Sequence, residues 1–238
     1  MKREIIRIGC CGFSESQKKY FQDFEQVELQ ETFYQPGEES RYQRLRDKAP
    51  KNFEFVIKAW QLITHSPKSP TYAKLKIEVS PSKRENYGFF RNTKEVFRAW
   101  EKIKKIAEIL RARVILFQTP ASFLTTRENK KNILNFFKEL RGERFIFVWE
   151  PRGWEEEEIK RVCQEVNLVH CVDIFKQRPV YGKINYFRLH GLPNYNLRYD
   201  YKKEELEKLK SFCQKEINYV FFNNIFMLKN AREFQNLV

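Results

Sequence analysis

Residues 145–154, FIFVWEPRGW, hold a hydrophobic run that ends on Glu150, with a proline and then Arg152 behind it. The ending recurs along the chain. Lys58 closes FEFVIK, Gln118 closes RVILFQ, and His190 closes INYFRLH with Arg188 two places before it. Asn223 and Asn224 follow NYVFF, Asp173 follows NLVHCV, and Glu28 lies inside QVELQET. A polar group at the end of a buried strand costs about 1–3 kcal/mol when it is left without a partner. A fold that gathers this many of them therefore points to a site.

Their types support two chemistries. Glu28, Glu150, Asp173 and His190, with His65, have the donors for one or two hard divalent metals that generate hydroxide and clamp phosphate oxygens. Lys58, Arg152 and Arg188 would then hold the anion. That describes a hydrolase for a phosphorylated or polyanionic substrate, a nucleic-acid phosphodiester included. In the second chemistry Lys58, desolvated and flanked by Arg7 or Arg188, is an amine of lowered pKa, and Glu150 and His190 move protons. That describes metal-free acid–base or Schiff-base chemistry on a small sugar-like substrate. The chain has only three histidines and no HxH or HExxH spacing, so the cofactor stays open. The same residues also fit a closed ion network in which Glu28 and Glu150 neutralise Arg7, Lys58 or Arg188. In that case the protein is a non-catalytic nucleic-acid binder, using helix-surface lysines such as Lys102, Lys104 and Lys105.

Bringing these groups together requires strand ends set side by side. Short β-branched and aromatic runs at 4–10, 26–32, 53–59, 113–118, 144–150, 167–172, 184–190 and 218–223 alternate with amphipathic segments, the pattern of βα units. Eight such strands close a TIM (β/α)8 barrel, whose chemistry sits at the C-terminal strand ends. Alternation between lumen and helix layer turns Glu28, Gln30, Thr32, Lys58, Gln118, Glu150, Tyr186, Arg188 and His190 inward. Helices are expected at 94–112, 129–141, 154–166, 202–216 and 227–234; the first carries Val96, Trp100, Ile103, Ala107 and Leu110 on one stripe. The crossover after strand one is brief, and DIFKQRPVYGK after strand six reads as loop, so the barrel is expected to lack one full helix. Residues 1–238 read as one domain.

The one long connection, 64–92, is broken by Ser-Pro pairs. It puts Lys83, Arg84, Tyr87, Phe89, Phe90 and Arg91 where a barrel carries a lid. The formal charge of +14 implies an anionic small molecule or nucleic acid as partner, or the ion-rich surface of a thermophile-like composition. Five cysteines without CxxC spacing argue against a disulfide framework or zinc knuckle. Cys163, Cys213 and His170 read as core, whereas Cys10 and Cys11, at the mouth of strand one, leave a reactive thiol open. With no signal-peptide pattern and no apolar stretch of roughly 18 residues, the expectation is a cytoplasmic protein without a membrane partner.

Seven ordered motifs carry a resemblance: IGCCGF (8–13), ELQETFY (28–34), FVIKAWQLITH (55–65), LFQTPASF (116–123), WEPRGW (149–154), YFRLHG (186–191) and FFNN with NA (221–224, 230–231). In this order they resemble the YecE-like family, the domain of unknown function numbered seventy-two. The resemblance implies a TIM barrel. It also implies a site at Glu28, Thr32, Tyr34, Lys58, Thr64, His65, Gln118, Pro120, Glu150, Arg152, Arg188, His190, Asn223 and Asn224. Within it, residue chemistry makes Glu28, Lys58, Glu150 and His190 the expected catalytic groups and Thr32, Tyr34, Thr64, His65, Gln118, Arg152, Arg188, Asn223 and Asn224 the expected substrate contacts. This chain departs from the family pattern at Cys10 and Cys11, which replace a Thr-Ser pair, at Phe13 for Trp, at Gln30 for Asn, and at Gly153. The resemblance implies a fold and a site but no reaction.

Overall fold

The alternation of apolar runs is realised as eight parallel strands in a computed structural model that describes residues 4–193 and 195–238. In chain order β1 (Ile5–Cys10) and α1 (Gln17–Asp23) are followed by β2 (Gln26–Leu29), α2 (Glu31–Tyr34) and α3 (Glu39–Lys48). Then come β3 (Glu54–Lys58), α4 (Gln61–Thr64), α5 (Lys94–Leu110), β4 (Val114–Gln118) and α6 (Arg127–Glu139). The chain continues through β5 (Ile146–Glu150), α7 (Glu156–Val166), β6 (Val169–Val172) and β7 (Asn185–Leu189), and ends with α8 (Lys203–Phe212), β8 (Ile217–Phe222) and α9 (Met227–Gln235). The sheet order β1-β8-β7-β6-β5-β4-β3-β2 is closed by a parallel bridge between Cys11 and Glu28. The fold is a TIM-type barrel.

Strand alternation divides the buried side chains into two clusters. Phe55, Ile57, Phe117, Phe187 and Leu189 pack outward against the helices, with Trp100 of α5 and Phe136 of α6. Val56, Val114, Leu116, Val148, Cys171, Tyr186 and Phe221 fill the lumen. Each large side chain buried this way contributes about 1.5–3 kcal/mol. Helix starts follow local chemistry. Thr93 and Thr126 accept from the backbone N–H groups of Val96 and Asn129 at 3.3 and 3.1 Å, and Glu156, Glu157 and Glu158 occupy the first turn of α7, where the helix dipole favours them.

One expectation is corrected. β2 ends at Leu29, so Thr32 lies in α2 and not on the strand, because the chain turns over the barrel rim there. A helix not anticipated, α3, fills the crossover to β3. The segment 64–92, expected as a lid, is anchored to α4. Its end is sealed by hydrogen bonds from Gly88 to Leu62 and from Phe90 to Ile63, at 2.8 and 2.9 Å. Gly88 has a φ of 77°, and a Cβ there would lie 2.1 Å from the His65 carbonyl oxygen. Phe90 is fully buried among Phe117, Phe123, Phe136 and Phe137, so it is unavailable to stack on a base. The thin crossover is as expected. Among the described residues no α-helix joins β6 to β7, and that loop covers His170, whose Nδ1 accepts from the Val180 N–H at 3.2 Å. No helix among the described residues is long and apolar enough to cross a membrane.

Candidate active site

The lumen is polar at both ends and apolar between. At the N-terminal end Glu54 accepts from Arg113 Nη2 at 2.9 Å and the Tyr219 hydroxyl at 2.9 Å, and pairs with Arg7 at 3.2 Å. Arg7 therefore belongs to this plug. It does not flank Lys58, because the apolar layer of Val56, Leu116 and Val148 separates the two ends.

At the C-terminal end the strand-terminal polar groups meet around Arg188. Its Nη2 lies 2.9 Å from Glu28 Oε1, and its Nε donates to Glu28 Oε2 at 3.1 Å. Its Nη1 bonds Glu150 Oε2 at 2.5 Å and lies 3.4 Å from His190 Nε2. Glu28 also accepts from the Tyr186 hydroxyl at 2.6 Å, from the Gln30 amide and from the Cys11 thiol at 3.3 Å. Gln118 and Arg152 each donate to Glu150 Oε1 at 3.4 Å. Burial by itself would raise the Glu150 carboxyl, but Arg188, His190, Arg152 and Lys58 outweigh it and hold it at about 2. Burial likewise opposes the charge on Arg188, and the two glutamates overcome that opposition.

This arrangement separates the residues expected as metal ligands. Glu28 and Glu150 converge on a guanidinium and not on a common vacant point. Asp173 accepts the backbone N–H groups of His190 and Phe175 at 3.1 and 3.3 Å, and its Oδ2 stands 3.9 Å from His190 Nδ1. Among the described residues no group of three or more His, Cys, Asp or Glu side chains is placed to hold a metal ion.

Lys58 reaches the same mouth. Its Nζ sits 4.2 Å from the centroid of the Phe33 ring, and among the described residues no carboxylate lies within ion-pair distance of it. Burial, followed by Arg188, lowers its pKa to about 8, with Glu150 and Glu28 opposing. His65 stands nearby; burial, Lys58 and Arg152 depress it to about 3, so its ring is neutral at physiological pH. Its Nδ1 is 2.8 Å from the Thr64 hydroxyl.

Other expected binding residues make contacts within the scaffold. The Thr32 hydroxyl donates to the Lys58 and Leu29 carbonyls at 2.7 and 3.1 Å, which fixes the end of β3. The Tyr34 carbonyl accepts from the side chains of Trp60 and Gln61, and its ring lies 4.2 Å from Lys74 Nζ. Asn223 donates its backbone N–H to Leu189 and is half-buried. Asn224 is bonded to the Tyr199 carbonyl and to Asn230, on the helix side of the barrel. Cys11 is a buried thiol whose pKa rises well above its ordinary value, through burial and Glu28. Cys10 is pushed up to about 11 by burial. Both shifts disfavour the reactive thiolate left open above.

Two residues of the mouth were missed. Tyr195, in the loop after β7, has Lys176 Nζ 3.6 Å and Arg152 Cζ 4.9 Å from its ring centroid, and its ring is 4.7 Å from that of His190. The available signal was an aromatic residue four places after YFRLHG; an isolated lysine three places after Asp173 offered none. A cavity of about 520 Å³ lined by Arg7, Phe21, Asp23 and Phe53 lies at the opposite, N-terminal end and contains none of these groups.

Comparison with solved structures agrees with the barrel. A DUF72 family protein from Enterococcus faecalis matches with a TM-score of 0.73 and 20% identity, over 100% of this chain and 98% of that one. Endonuclease IV from Thermus thermophilus matches with a TM-score of 0.54 and 10% identity, over 98% of this chain and 100% of that one. D-Psicose 3-epimerase with D-tagatose, from Clostridium cellulolyticum, matches with a TM-score of 0.50 and 13% identity, over 99% of this chain and 92% of that one. At these identities the likeness is one of fold. No curated protein matches the sequence. The family described as "Protein of unknown function DUF72" matches residues 7–238, and the chain belongs to that family.

Proposed function

We propose that the chain is a metal-independent barrel enzyme in which Lys58 is the reacting amine, acting on a small, anionic, sugar-like carbonyl compound. The observation that carries this reading is the state of Lys58: buried at a strand end and without an ion-pair partner among the described residues. With a pKa of about 8, ~10% of the amine is neutral at pH 7, against well under 1% for an ordinary lysine. A neutral amine attacks a carbonyl carbon. The new C–N bond forms as the carbonyl oxygen takes up a proton, and that oxygen leaves as water to give the Schiff base. His190 is the group at hand to move those protons, since its Nδ1 has no hydrogen-bond partner. Glu150, ionised throughout the neutral range, anchors Arg188 and Arg152 and moves no proton.

Both an endonuclease and a sugar epimerase share the fold, so the fold alone does not choose. Supporting metal-free carbonyl chemistry over metal-assisted phosphodiester hydrolysis is the convergence of the two central carboxylates on Arg188, which engages them away from a metal ligand set. The deciding experiment is borohydride trapping with a panel of short aldoses and ketoses, read by intact mass and peptide mapping. The expected result is an adduct on Lys58 that Lys58→Met abolishes. Adducts confined to surface lysines would reject the proposal.

A further inference from the structure

Three nitrogens around Tyr195 are shielded from solvent and have no hydrogen-bond partner among the described residues: Arg152 Nε, Lys176 Nζ and His190 Nδ1. Buried polar groups in folded proteins are paired in the great majority of cases, so three together at one mouth call for a ligand. Neighbouring carboxylates do not supply it. Glu150 is shared with Arg188 and reaches Arg152 through Nη2 at only 3.4 Å. Both oxygens of Asp173 accept backbone N–H groups, and no ion pair joins Asp173 to Lys176.

The surrounding loops hold these groups in place. Arg152, Lys176 and Tyr195 follow the adjacent strands β5, β6 and β7. The β7 loop begins at Gly191, with a φ of 86° and a backbone N–H donated to the Tyr201 hydroxyl at 2.9 Å; a Cβ there would lie 2.0 Å from the Asn196 carbonyl oxygen. This folds the loop back so that the Tyr195 ring carries both cations, an arrangement in which ring and charge attract.

We propose that Arg152 and Lys176, held against Tyr195, form a subsite for the phosphate group of a phosphorylated substrate. A planar guanidinium beside a point-charge ammonium suits a phosphate monoester, which offers three acceptor oxygens and nearly two negative charges where a carboxylate offers two oxygens and one charge. The inference deepens the Lys58 reading by naming the substrate class as sugar phosphates, and it rests on that reading only for what the phosphate positions. The anion site itself stands on its own geometry.

The test is titration of the full chain with inorganic phosphate, by calorimetry, for wild type, Arg152→Gln, Lys176→Met and Lys58→Met, with circular dichroism confirming that each variant is folded. The expected result is saturable binding that weakens by roughly tenfold or more in Arg152→Gln and Lys176→Met, and that persists in Lys58→Met. Arg152→Lys, which keeps the charge, should recover part of the loss. No binding by wild type, undiminished binding in both subsite variants, or loss only in Lys58→Met would each overturn the assignment, as would acetate competing equally with phosphate. Trapping at Lys58 can fail while phosphate binding holds, and the reverse, so the two readings fail separately.

Discussion

Arg188 on β7 and Glu28 on β2 meet across the interior of the barrel, guanidinium Nη2 to carboxylate Oε1 at 2.9 Å, on strands that are not neighbours in the sheet. The same guanidinium takes Glu150 from β5, so one side chain ties three walls together. Removing it leaves two carboxylates buried without their cation, which costs about 3–5 kcal/mol. Arg188→Met should therefore lower the urea midpoint substantially. Arg188→Lys should not restore it, because a single ammonium cannot fork to both partners. A midpoint equal to wild type would show that the network does not support the fold.

Lys58 is expected to act in the opposite sense on stability. Its pKa falls from 10.5 to about 8 on folding, so between those values the unfolded chain binds more protons, and stability rises with pH across that window. Below about pH 8 the buried charge is a cost. Lys58→Met should thus be more stable than wild type at pH 7, by ~1–3 kcal/mol, with the gap closing near pH 10 while trapping by carbonyl compounds is lost. Urea denaturation at the two pH values measures this, and a destabilised variant at pH 7 would contradict it.

Glu150 sets part of the acid limb. Its folded pKa is depressed from 4.5 to about 2, so its contribution is present above about pH 4.5 and is lost as pH falls toward 2. Glu150→Gln should be less stable than wild type at neutral pH and should show a flatter decline on acidification. Parallel curves for the two proteins would remove Glu150 from the account of acid unfolding.

The five cysteines are free and buried. Burial pushes Cys10 up to about 11 and Cys163 and Cys213 up to about 12, and raises Cys11 and Cys171 well above the ordinary thiol value. A thiol-reactive alkylating agent should leave the native protein unmodified at neutral pH and should label all five positions after denaturation. Rapid labelling of Cys11 in the native state would reopen a role for it in the chemistry.

The eight-strand barrel was legible because each strand repeats with a period of two and each helix with one near three and a half. Val56 against Ile57, and Arg188 against Leu189, already declare which side of the wall they face. The clustering of Lys58, Gln118, Glu150, Arg188 and His190 followed from that alternation, together with their position at strand ends. The scaffold contacts of Thr32 and Asn224 were not legible, because motif order does not reveal which backbone carbonyl a hydroxyl or amide will meet.

By itself, then, the sequence determined the architecture and, Thr32 apart, the inward set of polar residues, since periodicity and hydrophobic burial act locally along each segment. Only the tertiary structure decided how the charges are shared. Arg188, and not Lys58, pairs with both glutamates. Arg7 belongs to Glu54 at the far end, and Lys176 and Tyr195 join the mouth from loops that carry no periodic signal. Those pairings depend on distances across the lumen, and a charge selects its partner by proximity and desolvation, which barrel closure sets and linear order does not.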